Sequence, residues 1–540
     1  MLCVHRCDTM KRDNYIKQIA DKSLRWDFVV VGGGATGLGA AVDAASRGFK
    51  VVLLEQADFT KATSSRSTKL VHGGVRYLAQ GDVSLVVEAL RERGLMKKNA
   101  PHLVKDQRFI IGNYKWWEKP FYTIGLTIYD LLAGKRGLGR SLPMSKKAVE
   151  CEIPQINKAR LRGGVVYHDG QFDDSRMGIN LMQTAAEQGA VVINYAKVTN
   201  LIKDDSGKIS GVNVYDEIGK QTYSLKAKVV VNATGIFVDS LMKMDAPEKD
   251  NIVRPSQGVH LVVDKSFLGG DTAIMIPKTS DGRVLFGVPW HDKVVLGTTD
   301  TPLKEFVLEP QALEEEIEFI LRTAGEYLAK KPTRDDVLSV FAGLRPLAAP
   351  KKESDGKKTK EISRSHKIVI SDSGLITITG GKWTTYRDMA QDVIDKGITI
   401  GGLPRKECVT KDLRIHGYKE KVDRSNFNYV YGSDIDKIVE LQNQSLKFAE
   451  KLHPDYDYTV AEVLWAFREE MALTVEDVLA RRFRILFLDA RAAIDMAPQV
   501  ASIMAIEMGK DKEWEAIQVR EFVELAQHYL LLDYKPNYIP

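Results

Sequence analysis

The chain has 540 residues, 44% hydrophobic, 28% charged and 8% aromatic, an ordinary globular composition with room for two or three domains. A net charge of +5 is too small for a chain that coats nucleic acid, so nucleic acid is excluded as a partner and any anion is expected to be met locally. Four cysteines, Cys3, Cys7, Cys151 and Cys408, exclude a disulfide framework, suit a reducing compartment and offer no zinc spacing, so no metal site is expected.

Residues 1–26 have no apolar core of the signal-peptide kind, carry three aspartates unlike a typical organellar transit segment, and contain a second candidate start at Met10. No apolar run of about eighteen residues follows, so no segment is expected to span a bilayer. The first element is "WDFVVVGGGATGLGAAVDAASRGFKVVLLEQ". Phe28 to Val31 read as a buried strand, Ala40 to Arg47 as a helix and Val51 to Leu54 as the next parallel strand, together a βαβ unit. A long helix is expected through "VSLVVEALRERGLMKKNAPHL", closed by Pro101. Aromatic and basic residues then interleave in "YKWWEKPFYTIGLTIYDLLAGKRGLGRSL".

A β-rich region follows. "GAVVINYAKVTNLIKDDSGKISGVNVYD", which contains Val198, and "YSLKAKVVVNATG" read as strands returning to the first sheet. "GVHLVVD", "DGRVLFGVPW" and "KVVLGTTDT" alternate as half-buried antiparallel strands do. Lys351 to Lys360 is a polar loop, and "GLITITGGKWTTYRDMAQDVIDKG" reads strand, glycine turn, helix. Beyond about residue 405 the chain turns helical, with Thr474 capping "VEDVLARRFRILFL" and Asp477 three residues on.

Gly32, Gly34 and Gly37 form G-x-G-x-x-G between strand and helix, and Glu55 ends the following strand about twenty residues later. Such glycines let a pyrophosphate approach backbone N–H groups at the positive helix end, and the acid is placed for ribose hydroxyls. Because strand, helix, second strand and acid agree, a bound dinucleotide is expected rather than a merely structural turn. Just beyond it, "TSSRSTKLVHGGVRYLAQG" (Thr63 to Gly81) concentrates cations, hydroxyls, an imidazole and paired glycines, as a site for a phosphorylated substrate would.

"VVVNATG", with Ala233, Thr234 and Gly235, resembles the second FAD-contacting strand and turn of flavoproteins of the glutathione-reductase and amino-acid-oxidase superfamily. "ITITGGKWTTYR", with Gly380, Gly381 and Lys382, resembles the end of their flavin domain, where a helix start faces the N1/C2=O edge of the ring. "ATSSRSTKLVHGGVRYL", "YKWWEKPFY", "DDSRM", "SQGVHLVV", "SDGRVLF", "GTTDTP", "GLRPL" and "ISRSH" are similar, in order, to the FAD-dependent glycerol-3-phosphate dehydrogenase family, in wording like its mitochondrial type. The resemblance covers Asp27 to Lys396 and, more loosely, the helical tail. No EF-hand pattern follows that tail, so calcium regulation is not carried over.

The resemblance implies an α/β fold: an FAD-binding Rossmann-like domain with an interleaved antiparallel β substrate domain and a C-terminal α-helical domain. The expected division is 27–75, 161–250 and 346–400 for the FAD domain, 76–160 for a substrate and membrane-facing segment, 251–345 for the substrate domain and 405–540 for the tail, a dimerisation or cap element. It implies FAD as cofactor, held by Gly32, Gly34, Gly37, Glu55, Thr63, Ser64, His72, Val198, Ala233, Thr234, Gly235, Gly380, Gly381 and Lys382. The implied substrate is sn-glycerol 3-phosphate, oxidised at C2 by hydride transfer to flavin N5, with Arg76, Tyr77, Arg345, Arg364, Lys382 and Thr384 binding it. His260 is the preferred base, with His72 as the other candidate, and Arg345 polarises either the hydroxyl or the phosphate. Asp239 and Asp300 read as structural acids.

Membrane quinone is the implied electron acceptor, which requires a peripheral seat on the inner face of the cell membrane. Trp116, Trp117, Phe121 and Tyr122, with Lys115, Lys119, Lys135 and Arg136, are the expected contacts, although such aromatics also pack in cores. A glycerophosphate oxidase using oxygen has the same phosphate site, and a binding scaffold stabilised by FAD is the non-enzyme alternative.

Overall fold

A computed structural model describes residues 12–79, 81–279, 282–348 and 366–534. Cys3, Cys7, Met10, the loop at 351–360 and Arg364 lie outside the described residues, as does the side chain of Arg76.

The βαβ unit comprises strand Arg25–Val31, helix Ala35–Ser46 and strand Val51–Leu54. The helix begins earlier than its apolar pattern suggests, because Gly34 is extended and serves as its N-cap, which puts Gly37 in the first turn. Nearly every residue of this helix is buried, since it packs between helices Asp174–Glu187 and Tyr386–Ile400. Its small residues, such as Gly39 and Ala40, permit that close approach, and a Cβ at Gly39 would lie 2.8 Å from the Tyr386 ring.

The first sheet runs His366–Ile370, Ile376–Gly380, Gln221–Asn232, Arg25–Val31, Val51–Leu54, Val191–Ile193. From Ile376–Gly380 onward the neighbours are parallel, and the Val-rich central strands are buried on both faces. The strands Ala196–Lys203 and Ile209–Asp216 extend it as an antiparallel meander on Gln221–Asn232.

The second sheet is largely antiparallel and built around strands Val253–Asp264 and Val337–Ala348, which pair from Val253 opposite Ala348 to Val263 opposite Val337. Lys293–Gly297, Leu285–Trp290 and Ala273–Ile276 follow, then Lys105–Asn113 and Gly163–Gln171. Gly163–Gln171 thus belongs to this sheet, although it falls within the 161–250 segment assigned to the FAD domain. Its cross-strand register with Lys105–Asn113 takes it there, a long-range pairing that no local pattern encodes.

The strands expected to be half-buried are buried on both faces. Val259, Leu261 and Val263 pack under helix Glu314–Tyr327, while Val262, Val295, Trp290 and Phe341 join the large core shared with the first sheet and the tail. A sheet sandwiched between two cores has no solvent face for its polar positions, so Gln257 and His260 are buried too.

Beyond residue 405 the chain is mainly helical, with a small hairpin, Lys451–His453 against Tyr456–Thr459, that the helical expectation omits. Thr474 and Asp477 form the expected reciprocal cap, Asp477 accepting from the Thr474 N–H at 3.1 Å and its own N–H donating to Thr474 Oγ1 at 3.2 Å. The helix they open is interrupted. Asp477–Arg482 is a π-helical turn, and Arg484 is left-handed at φ 69° before the short helix Ile485–Leu488.

That irregular segment aims three arginines into the first domain. Arg481 and Arg482 meet Asp58, and Arg484 Nη2 donates to Asp174 Oδ1 at 2.8 Å and to the Ser65 carbonyl at 2.9 Å. Arg176 answers in the opposite direction, with a two-pronged bond to Glu470 at 2.7 and 2.8 Å. These pairs are buried, so each carboxylate is required to neutralise its guanidinium.

Candidate functional site

A cavity of about 620 Å³ lies where the parallel strands end, between the first sheet and the strands Val253–Asp264 and Val337–Ala348. Val31, Leu54 and Gly380 border it at their strands' carboxyl ends, the position at which open α/β sheets take ligands. Gly258, His260 and Gly343 to Ala348 close the opposite wall.

Glycine is required at the rim. Gly32 has φ +111°, and a Cβ there would lie 2.6 Å from the Ala233 carbonyl oxygen. A Cβ at Gly37 would lie 1.9 Å from the Gly32 carbonyl oxygen, so the helix could not approach the strand end. Gly32 and Gly34 line the cavity, whereas Gly37 stands behind them as a packing residue.

Glu55 accepts from the Gly33 N–H at 2.6 Å and the Ala57 N–H at 2.9 Å, so it shapes the turn as well as bordering the space where a ribose would lie. Burial pushes its carboxyl up, against the lowering effect of those two N–H groups. Ser64 Oγ accepts from the Ala35 N–H at 2.9 Å and so caps the helix start. Thr63 donates to the Leu344 carbonyl at 2.7 Å, which ties the cavity's two walls together. Val198, Ala233, Thr234 and Gly235 line the same space.

At the other end, Gly380 (φ +77°) and Gly381 (φ +75°) turn the chain from strand into the helical segment beginning at Trp383. A Cβ at Gly381 would meet Met389 Sδ at 2.3 Å. Lys382 follows, its Nζ 4.2 Å from the Tyr77 ring centroid, and both residues line the cavity with His72 and Thr384. Trp383 Nε1 donates to the Ser64 carbonyl at 2.8 Å, joining this helix start to the first glycine turn.

Arg345 lies across Gly258, where a Cβ would be 2.2 Å from Arg345 Nη2. Its Nη1 donates to the Gln257 carbonyl at 3.2 Å and reaches Asp300 at 3.4 Å, and its Nη2 donates to Thr298 Oγ1 and the Thr299 carbonyl. The guanidinium is therefore a fixed positive charge at the wall, and Asp300 is one of the groups that fix it. Asp239 is structural, accepting from the Ile252 and Val253 N–H groups at 2.9 and 3.2 Å.

His260 is 2% exposed, stacked on Phe341 with ring centroids 4.8 Å apart, and its Nε2 lies 2.9 Å from Thr68 Oγ1. Burial, then the cations Lys69 and Arg345, hold its imidazole well below the usual histidine range, so it is neutral at pH 7. Lys69 itself is fully buried, donating to Asp174 at 2.8 Å and to the Ser65 carbonyl at 2.6 Å. Burial pushes its ammonium down to about 7, against the pull of Asp174.

His260, Arg345, Lys382, Tyr77, Thr384 and His72 thus share one cavity with the glycine turn. The backbone of Arg76 lies in helix Val75–Ala79, next to Tyr77 of the cavity lining. Thr68, Lys69 and Trp383 were not singled out by the sequence. They lie inside motifs already chosen, but alternation alone does not say which of the neighbours Ser67, Thr68 and Lys69 faces the cavity. The positive φ of 64° at Lys69 breaks any simple period there.

The aromatic and basic stretch forms helix Glu118–Ala133. Trp116, Phe121, Ile124 and Leu131 are 78%, 60%, 64% and 75% exposed, while Tyr122 is half-buried against the core and Leu126 and Tyr129 are buried. Tyr129 accepts from the Gly73 N–H at 2.8 Å and donates to Asp169 at 2.8 Å, which anchors the helix to the His72–Gly74 turn.

A dinucleotide fits this cavity on the structure's own terms: its size, its glycine-only rim, its helix start and its buried carboxylate suit a pyrophosphate and a ribose. Residues 27–387 match the FAD dependent oxidoreductase family, and residues 375–515 match the C-terminal domain of alpha-glycerophosphate oxidase. Fold and site therefore define an FAD-dependent oxidoreductase with a glycerophosphate-oxidase-type tail.

Among its relatives, the probable mitochondrial glycerol-3-phosphate dehydrogenase of Caenorhabditis elegans is 38% identical over 550 residues, covering 96% of this chain and 74% of that protein. The mitochondrial glycerol-3-phosphate dehydrogenase of Schizosaccharomyces pombe is 38% identical over 583 residues, covering 96% and 89%. The crystal structure of glycerol-3-phosphate dehydrogenase from Bacillus halodurans complexed with FAD superposes with a TM-score of 0.79 at 29% identity, covering 98% of this chain and 99% of that one. The chain belongs to the FAD-dependent glycerol-3-phosphate dehydrogenase family.

Proposed function

We propose that the protein oxidises sn-glycerol 3-phosphate at C2 to dihydroxyacetone phosphate. The observation that carries this reading is the convergence of His260, Arg345 and Lys382 on the cavity bordered by the glycine turn. FAD supplies the hydride acceptor when bound. Gly32, Gly34 and the helix start at Ala35 would hold its pyrophosphate, Glu55 its ribose, and Gly380, Gly381 and the helix start at Trp383 its flavin ring. Arg345 and Lys382 attract and orient the substrate phosphate, with Tyr77 and Thr384 as hydrogen-bonding partners and Arg76 and Arg364 as further cations on motif grounds. Neutral His260 takes the C2 hydroxyl proton. Burial is the main reason this imidazole's pKa is low, and a phosphate dianion bound near Arg345 offsets the smaller contribution of the cations, which strengthens it as a base when substrate is in place.

Anaerobic addition of glycerol 3-phosphate to the yellow holoprotein tests the reading. Loss of the flavin band at about 450 nm, with glycerol inert, is expected. A band that persists refutes the substrate.

Quinone is the acceptor we favour over oxygen, with the protein seated peripherally on a membrane. The support is helix Glu118–Ala133: Phe121, Ile124, Ile128 and Leu131 line up at helical spacing on its exposed side, with Lys115, Lys119, Lys135 and Arg136 around them. Among the described residues no helix is long and apolar enough to cross a membrane. Co-sedimentation with anionic vesicles, weakened in the paired variant Phe121→Ser and Leu131→Ser with catalytic bleaching unchanged, is the expected result. Equal sedimentation of variant and wild type refutes this face.

A further inference from the structure

The base is not alone in the cavity. His260 Nδ1 is buried and has no hydrogen-bond partner among the described residues, so the nitrogen that can exchange a proton with a ligand is Nε2. Nε2 lies 2.9 Å from Thr68 Oγ1. Thr68 and His260 both line the cavity, but His260 is almost wholly buried whereas Thr68 is half-buried. A substrate hydroxyl therefore meets the threonine before the imidazole.

The ring needs no hydroxyl to hold its plane. Phe341 stacks on it at an interplanar angle of 18°, and the His260 Cδ2 lies against Gly297, where a Cβ would be 2.4 Å from it. Thr68 is itself held on both sides through one carboxylate. The Ser67 N–H and Oγ bond Asp174 Oδ2 at 3.0 and 2.7 Å, and Lys69 Nζ bonds the same oxygen at 2.8 Å. A hydroxyl carried between two neighbours held in this way, with one proton to give and a lone pair to accept another, is suited to handing on a proton.

We propose that Thr68 relays the proton from the C2 hydroxyl of the substrate to Nε2 of His260. The inference rests on the proposed glycerol 3-phosphate oxidation. The C2–OH proton passes to Thr68 Oγ1 as the Thr68 hydroxyl proton passes to Nε2. The C2–H bond breaks with its electron pair going as hydride to FAD, and the C2=O bond forms. The products are the ketone, reduced cofactor and an imidazolium, so protons and electrons balance.

The test is anaerobic stopped-flow bleaching of the FAD holoenzyme in mixtures of H2O and D2O, with wild type, Thr68→Val and Thr68→Ser. Thr68→Val is expected to keep its flavin spectrum and its affinity for dihydroxyacetone phosphate, read from the shift of the flavin band, while bleaching about 100-fold more slowly. Thr68→Ser is expected to recover to within about five-fold of wild type, because the hydroxyl alone is needed. Wild type and Thr68→Ser should show a bowed dependence on deuterium fraction, from two protons in flight, and Thr68→Val a linear one.

Bleaching of Thr68→Val within about three-fold of wild type overturns the relay, as does Thr68→Ser as slow as the valine variant. Should Thr68→Val fail to bind FAD, a linear deuterium dependence in wild type overturns the relay and a bowed one sustains it. A wild type that does not bleach at all refutes the proposed substrate and the relay together, whereas a normal wild type with an equally fast valine variant refutes the relay alone.

Discussion

Asp58→Asn removes one of the charges that join the helical tail to the N-terminal part of the chain. Asp58 is fully buried just after strand Val51–Leu54 and accepts from Arg481 Nε, both terminal nitrogens of Arg482, and Asn194 Nδ2 at 3.3 Å. The two arginines differ in what remains to them. Arg481 keeps Glu476 and Asp477, each at 2.5 Å, but among the described residues Arg482 keeps as a hydrogen-bond partner the Glu470 carbonyl at 2.6 Å and no ion pair. The substitution therefore leaves one buried guanidinium without its hydrogen-bonded carboxylate, a change that costs about 3–5 kcal/mol. Against a typical stability of about 5–15 kcal/mol, that is a substantial share. Urea unfolding followed by flavin fluorescence and by far-UV circular dichroism should show both transitions moved to lower denaturant, with the tail and the FAD domain separating together. Adding Arg482→Met should recover much of the loss, because the stranded charge is then gone. An Asp58→Asn protein within about 0.5 kcal/mol of wild type, or a double variant as unstable as the sum of its singles, would refute the reasoning.

Gly37→Ala puts a methyl 1.9 Å from the Gly32 carbonyl oxygen, so the helix must move off the strand end. Purified protein should come out colourless or with sharply weakened FAD binding by fluorescence titration, and full flavin occupancy would contradict the packing argument. His260 must be neutral to act as a base, and its pKa is depressed in the free protein, so the acid limb of kcat/KM should lie below about pH 6.5. A limb at or above pH 7 would exclude His260 as the group that titrates. For His416, burial opposes the charge, but hydrogen bonds to Asp434 at 2.6 Å and Glu187 at 2.7 Å outweigh it and push the imidazole up to about 9. A raised pKa stabilises the fold below the unfolded value and loses that contribution as pH rises through about 9. His416→Gln should therefore be less stable than wild type at pH 6 and close to it at pH 10, and a deficit that does not change with pH would argue against the charged pair.

Much of the fold is legible because its signals are local. Phe28 to Leu54 alternate strand, glycine turn, small-residue helix and strand within one stretch, and the structure keeps that order while moving the helix start to Ala35. Gly32, Gly34 and Glu55 could be found without coordinates, since a tight turn and a terminal acid leave marks at fixed spacing. The Thr474 and Asp477 cap was equally visible. The break after it was not, because a left-handed arginine at 484 has no sequence signature and is kept by its bonds to Asp174 and Ser65.

The order-specific motifs between Asp27 and Lys396 also identified the family and the cofactor, since glycine turns and paired cations are constrained by the ligands they surround. Only the tertiary structure decided which side chains meet. Gly163–Gln171 joins the second sheet through a partner distant in sequence, Asp300 stands beside Arg345, and Thr68 reaches His260 from a segment far from it along the chain. The tail's arginines find Asp58 and Asp174 across most of the chain's length. Spacing along a chain records bends and periods within a few turns, whereas a buried charge or a proton path depends on approach in space between segments whose separation no local pattern encodes.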